Sequence, residues 1–207
     1  MHIYLCDRDD VKNSDQAIFR FCMEYADDLG MDAITGEAIL LAKIIRTPRG
    51  KPFLQGIPCI HFSVSHSKTI WGCAIDSHPI GFDIEDFPRF NRNGDTDAEN
   101  KKDGKWIKLS GRFFTEAEQD YVLSGGERAF LKLWVKKEAY LKYKGSGLSD
   151  GLAGVELIKD GQPVCQLPDG WVDEIKIDNK LVAAYSGEHK RQTKKIFDYR
   201  QAKVGFK

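Results

Sequence analysis

Ile80-Gly81-Phe82-Asp83-Ile84-Glu85, residues 80–85, alternates apolar and acidic side chains once past its glycine. A period of two is that of a β-strand, with Phe82 and Ile84 on one face and Asp83 and Glu85 on the other. Upstream, Asp76-Ser77-His78-Pro79 supplies a turn, and 69–75 and 59–65 read as two more strands, so the spacing predicts a three-stranded meander. Two helices precede it. Ile18, Phe19, Cys22, Met23 and Tyr25 recur at helical spacing between Asp15 and Leu29, and Gly30 is the stop; Thr35 is placed to cap a second helix over 37–46, which Pro48 and Gly50 end.

Downstream, 91–105 is polar, contains glycine and has almost nothing to bury, so it is predicted as an exposed connection. The plan then repeats: a strand at 106–109, helices near 116–123 and 128–144, and strands at 155–158, 171–177 and 181–186. This order predicts an α+β protein of two similar halves, 1–90 and 106–207, related by an approximate twofold axis. Each half packs helices on a small, mainly antiparallel sheet.

Composition narrows the function classes. The 207 residues hold 31 Lys and Arg against 31 Asp and Glu, and a net charge of zero offers no global field for nucleic acid. Cys6, Cys22, Cys59, Cys73 and Cys165 are scattered, odd in number and free of any C-x-x-C pair, as in a reduced intracellular protein. Met1 to Asp10 lacks the basic start and apolar run of an export signal, and no stretch approaches roughly 18 consecutive apolar residues. The expectation is a cytoplasmic chain with no membrane partner. The tail from His189 is basic and reads as a solvated terminus.

Asp83 and Glu85 carry the clearest chemistry. About 7 Å apart on one strand face, at an effective dielectric near 20, they repel by about 2 kcal/mol, which a hard dication such as Mg2+ would turn into attraction. An isolated D-x-E that simply faces solvent is the plainer explanation. Phe130, Trp134, Glu138 and Lys142 recur every fourth residue on one helix face, which is either an intrahelical ion pair or an acid and a cation set on an apolar stripe. Thr115-Glu116-Ala117-Glu118 fits a capping box, and a carboxylate there also suits a general base. Ser65 and His66 offer donors to a phosphate, with a turn-forming serine and a surface histidine as an even alternative, while Arg49, Gly50, Lys51 and Pro52 bring two cations to a tight turn suited to a phosphate, although a solvated loop is the plainer explanation. Gly145-Ser146-Gly147 follows a helix and lacks the third glycine of a dinucleotide fingerprint; Walker, zinc and hydrolase-triad patterns are absent.

The order of these pieces, from Gly50-Lys51-Pro52 through Ser65-His66-Ser67, Gly81-Phe82-Asp83-Ile84-Glu85, Phe113-Phe114 with Glu118, and Trp134-x-x-Lys137-Glu138-Ala139-x-x-x-Lys142 to Lys144-Gly145-Ser146-Gly147-Leu148, resembles the surfactin-type 4'-phosphopantetheinyl transferases. The resemblance implies transfer of the phosphopantetheine arm of coenzyme A to a serine of an apo acyl or peptidyl carrier protein, with Mg2+. It also implies two similar α+β halves with the active site between them, which requires no second subunit, so a monomer is expected. It assigns Asp83, Glu85 and Glu138 to the metal, Lys142 to the pyrophosphate, and Glu118 or Glu138 to the serine proton. Ser65, His66, Arg49, Gly50, Lys51 and Pro52 would hold the adenosine end and its 3'-phosphate. The chain departs from the family at Val135, at Phe82 and at Leu41, where relatives carry an arginine for the 3'-phosphate; Lys43 or Arg46 is the substitute. The competing readings are a coenzyme A or carrier-binding module without turnover and a metal-dependent phosphohydrolase.

Overall fold

The structure, a computed structural model, describes residues 1–89, 104–146 and 151–200. Chain order begins with β1 (His2–Asp7) and α1 (Ser14–Asp28), whose opening amides at Asp15 and Gln16 donate to the Asn13 side chain. α2 (Ala33–Leu41) is capped by Asp32 and stops where Ala42 turns extended. β2 (Ile44–Arg46), β3 (Pro52–Leu54), β4 (His61–His66), β5 (Ile70–Asp76) and β6 (Ile80–Asp86) follow. Next come α3 (Lys105–Phe113) and α4 (Glu116–Lys144). α4 is broken at Gly126, where φ is 69° and ψ is −162°, a conformation suited to glycine. β7 (Ile158–Lys159), β8 (Gln162–Pro163), β9 (Gln166–Leu167), β10 (Gly170–Ile175), β11 (Leu181–Gly187) and β12 (Lys195–Asp198) complete the order.

The fold is α+β. Two four-stranded sheets run β12-β1-β5-β4 and β6-β11-β10-β9, with β2-β3 and β7-β8 as separate hairpins. Among the described residues, every pairing is antiparallel except that of β12 with β1. Strand alternation sorts the side chains into layers. Ile3, Leu5, Ile80, Phe82, Ile84, Ala183 and Tyr185 share one core between the two sheets. The opposite parity on β1 and β5, Tyr4, Cys6, Trp71 and Cys73, packs against Ile18, Phe21 and Cys22 of α1. Val172, Val182 and Ala184 pack against Leu133, Val135 and Ala139 of α4. The result is helices, sheet, sheet, helices, each buried Leu- or Phe-sized side chain contributing roughly 1.5–3 kcal/mol. Asp83 and Glu85 have the parity opposite to Phe82 and Ile84 and so fall on the α4 side of β6. No helix among the described residues is long and apolar enough to cross a membrane.

Several sequence expectations are corrected. The meander does not hold: β6 leaves β5 and pairs with β11, while β12 returns from the other end of the chain to β1, so residues 1–90 and 106–207 do not each keep a sheet of their own. The helix expected at 37–46 ends earlier, because Ile44–Arg46 pairs with Pro52–Leu54, and its cap is Asp32 instead of Thr35. The strand expected at 106–109 is part of α3, and that expected at 155–158 shrinks to the β7-β8 hairpin. The tail read as a solvated terminus holds β12, since Phe197 stacks on Tyr4 at 5.0 Å and Tyr199 on Phe21 at 5.7 Å. Most of the expected 91–105 connection lies outside the described residues, as do Gly147, Leu148 and 201–207.

Gly81 sets how closely β6 meets α4. A Cβ there would stand 1.9 Å from the Ala139 carbonyl oxygen and 2.3 Å from the Tyr143 nitrogen. Both obstacles are helix backbone and cannot rotate away. Gly81→Ala is therefore expected to cost roughly 3 kcal/mol or more of unfolding free energy, the upper end of overpacking effects. Urea unfolding measures it, and a loss below about 1 kcal/mol would contradict this packing.

Candidate active site

The two strand acids are engaged by hydroxyls from one side and cations from the other. Asp83 Oδ1 accepts from Ser65 Oγ at 2.6 Å and from Lys142 Nζ at 2.6 Å, while Oδ2 is buried with no hydrogen-bond partner. Glu85 accepts from Ser67 Oγ at 2.6 Å through Oε2 and from Arg89 through Oε1. Burial is the main cause that raises the Glu85 carboxyl above its ordinary value. Glu138 lies one helical turn before Lys142 on α4 and is half-buried. Burial first, then the charge of Asp83 with a smaller push from Glu85, and with Lys142 opposing, takes its carboxyl up to about 7. The three acids thus act on one another electrostatically. Among the described residues, however, no three His, Cys, Asp or Glu side chains are already gathered as a metal cage.

A cleft of about 420 Å³ opens beside them, lined by residues from both stretches of the chain. Glu138 and Lys142 form one wall; Arg46, Arg49, Lys51 and His66 belong to the other. The β2-β3 turn presents the first three. Gly50 closes it at φ 88°, its amide donating to the Thr47 carbonyl at 2.8 Å, and Arg46 Nη1 donates to the Gly50 carbonyl at 3.1 Å. Lys51 Nζ donates to the Tyr143 carbonyl at 2.8 Å in the last turn of α4, a favourable place for a cation, although burial lowers its amine to about 8. Burial is also the main cause that lowers the His66 imidazole.

The expected site residues divide accordingly. Arg49, Gly50, Lys51, Pro52, His66, Glu138 and Lys142 line the cleft, and Asp83 joins through Lys142. Of the two substitutes for the missing arginine, Arg46 lines the cleft; Leu41 is 83 % exposed and lines none of it. Ser65 does not line the cleft, and its hydroxyl donates to Asp83 Oδ1. Glu118 lies in the core, away from the cleft lining. It is 0 % exposed; Oε2 accepts from Thr115 N at 2.9 Å, completing the capping box, and from Lys137 Nζ at 2.6 Å, while Oε1 accepts from Leu157 N at 2.8 Å. With both oxygens occupied in the core, it caps α4. The sequence reading missed the bond of Ser67 to Glu85, the pairing of Arg89 with the same acid and the packing role of Gly81. The alternation Ser63, Ser65, Ser67 was the available signal for the first.

Fold and cleft together define an α+β protein whose cation-rimmed pocket suits an anionic ligand. The 4'-phosphopantetheinyl transferase superfamily model matches residues 79–192, which include β6 and α4, and the chain belongs to that superfamily. The 4'-phosphopantetheinyl transferase psf-1 of Bacillus pumilus is 35 % identical over 126 residues, 58 % of this chain and 48 % of its own. The 4'-phosphopantetheinyl transferase Sfp of Bacillus subtilis (strain 168) is 34 % identical over 126 residues, 58 % and 50 % of the two chains, and gsp of Aneurinibacillus migulanus is 35 % identical over 119 residues, 56 % and 42 %. The matched stretch thus spans about half the length of these curated relatives.

Two outcomes follow from the acids. Glu118→Ala strands the Lys137 ammonium in the core and is expected to destabilise by about 3–5 kcal/mol in chemical unfolding; a loss near zero would show that the pair is not buried. For Glu138 the folded value of about 7 lies above the ordinary 4.5, so the folded protein holds a proton that the unfolded chain releases. That stability is present below the ordinary value and lost as pH rises through about 7. With a chelator present, wild type should lose stability relative to Glu138→Gln across that window; parallel curves would contradict it.

Proposed function

We propose that this chain transfers the 4'-phosphopantetheine arm of coenzyme A to a serine hydroxyl of an apo acyl or peptidyl carrier protein, releasing adenosine 3',5'-bisphosphate. The observation that carries this is the meeting of the β6 acids with Glu138 and Lys142 of α4 beside a cationic cleft, inside the stretch that matches the superfamily. The names of the relatives support it. The reading includes two similar halves related by a pseudo-twofold, the active site between them, and a cytoplasmic monomer.

Arg46, Arg49, Lys51, Pro52 and His66 hold the adenosine end and 3'-phosphate in the cleft, with Gly50 shaping the turn. Lys142 sits where it can leave Asp83 for the pyrophosphate and neutralise charge on the departing bisphosphate. The acceptor oxygen attacks the phosphorus that carries the pantetheine arm, and the bond from that phosphorus to the bridging oxygen breaks. Glu138, which lines the cleft, takes the hydroxyl proton. The residues fit a dication: the acids supply hard oxygen donors, and Asp83 Oδ2 is an orphaned buried acceptor. Held by Asp83, Glu85 and Glu138, Mg2+ would supply Lewis-acid polarisation of the pyrophosphate oxygens. Glu118 takes no part in this chemistry.

The test is incubation with coenzyme A, Mg2+ and a panel of apo-carrier proteins, read by mass spectrometry. The arm's mass should appear on the carrier, and Asp83→Asn should slow transfer by roughly a hundredfold or more, as loss of several kcal/mol of charge stabilisation requires. Binding of coenzyme A without transfer to any carrier would favour a binding module. Cleavage of coenzyme A in the absence of carrier would favour a phosphohydrolase.

A further inference from the structure

Ser63, Ser65 and Ser67 alternate along β4 and just beyond its end, and each meets β6. Ser63 Oγ accepts from the Phe82 amide at 2.9 Å. Ser65 Oγ donates to Asp83 at 2.6 Å, and Ser67 Oγ donates to Glu85 at 2.6 Å while accepting from the Asp86 amide at 3.2 Å. β4 and β6 are edge strands of different sheets, so these hydroxyls stand where a backbone ladder would otherwise join them. A mere stitch would need only backbone partners of the kind Ser63 uses. Two of the three serines instead grip carboxylates, and each grips one oxygen only. On Asp83 the ungripped oxygen is the buried one without a partner; on Glu85 it meets Arg89, whose side chain is 37 % exposed.

We propose that Ser65 and Ser67 are positioning residues of the site: each clamps one oxygen of Asp83 or Glu85, fixing the carboxylate's rotation so that its second oxygen is presented to a divalent cation. This rests on the metal reading of the proposed transferase. A carboxylate without such a clamp rotates about its terminal torsion, and the site then pays the ordering cost on binding. Partners that orient ligands in this way typically change metal affinity by ten- to hundredfold.

Titration of Mn2+ into the protein with saturating coenzyme A and no acceptor, with the free ion counted by electron paramagnetic resonance, reads this without turnover. Ser65→Ala and Ser67→Ala should each bind Mn2+ roughly ten- to hundredfold more weakly, with metal-free coenzyme A affinity within about twofold of wild type. Ser67→Thr, which keeps the hydroxyl, should restore binding. Wild-type Mn2+ affinity in both alanine variants would overturn the proposal and leave the serines as a stitch, whatever the melting temperature does. Asp83→Ala separates the two levels: if it loses Mn2+ while the serine variants do not, only the clamp falls; if it too binds as wild type, the metal reading falls and the clamp with it. Should Ser65→Ala not fold, the Ser67 variants decide alone.

Discussion

β6 can lie against α4 only because nothing projects from Gly81, and the site depends on that contact. The glycine leaves the strand and helix backbones close enough for Lys142 to reach Asp83, while Phe82 and Ile84 bury the strand's other face between the sheets. A side chain at 81 would force the helix outward, and the Lys142–Asp83 contact at 2.6 Å would open with it. The same strand parity that packs the core therefore determines which side chains face the helix. Packing and chemistry are two faces of one strand.

The strand exchange adds to this. β6 lies early in the chain but pairs with β11, and β12 crosses back to pair with β1, so each sheet is completed from a distant part of the sequence. Loosening one sheet disturbs the other, because both share the apolar layer of Ile3, Phe82 and Tyr185. The cleft lies across this arrangement, with Arg46 and His66 from the early stretch facing Glu138 and Lys142 from the later one. Its geometry is thus held by the central core as well as by the loops that line it. Loops alone would allow the cations to drift by more than a phosphate contact tolerates.

Much of this was legible. Period two identified β6 and the shared face of Asp83 and Glu85, and the four-residue spacing identified the stripe of Glu138 and Lys142; both patterns are local, and the structure keeps them. What stayed hidden needed tertiary partners. Nothing local says that Ser65 turns to Asp83, since a serine at a strand end serves a turn or an anion equally well. The two roles open to Glu118 differ only in whether Lys137 sits beneath it, and that depends on the break at Gly126 folding α4 back on itself. β12 was obscured by the lysines and arginines around Phe197 and Tyr199, whose value lies in stacking against Tyr4 and Phe21. Trp106 to Leu109 is too short an apolar run to separate strand from helix, and amphipathic continuation to Phe113 decides it.

The two acid–cation pairs of α4 show how one helix divides structure from chemistry. Lys137 and Glu138 are neighbours, about 100° apart around the axis. Lys137 points inward to Glu118, both side chains fully buried and every oxygen of the acid satisfied, so the pair is locked. Glu138 points toward the cleft and shares its surroundings with Asp83 and Glu85, which leaves it closer to neutral than any ordinary carboxylate. Lys142 is about one-third exposed, so its pairing with Asp83 can be exchanged for another anion at modest cost, whereas Lys137 would have to carry its charge through apolar core. Burial, more than charge, therefore decides which of the two lysines can take part in chemistry, and the adjacency of Lys137 and Glu138 places the rigid pair directly behind the reactive one.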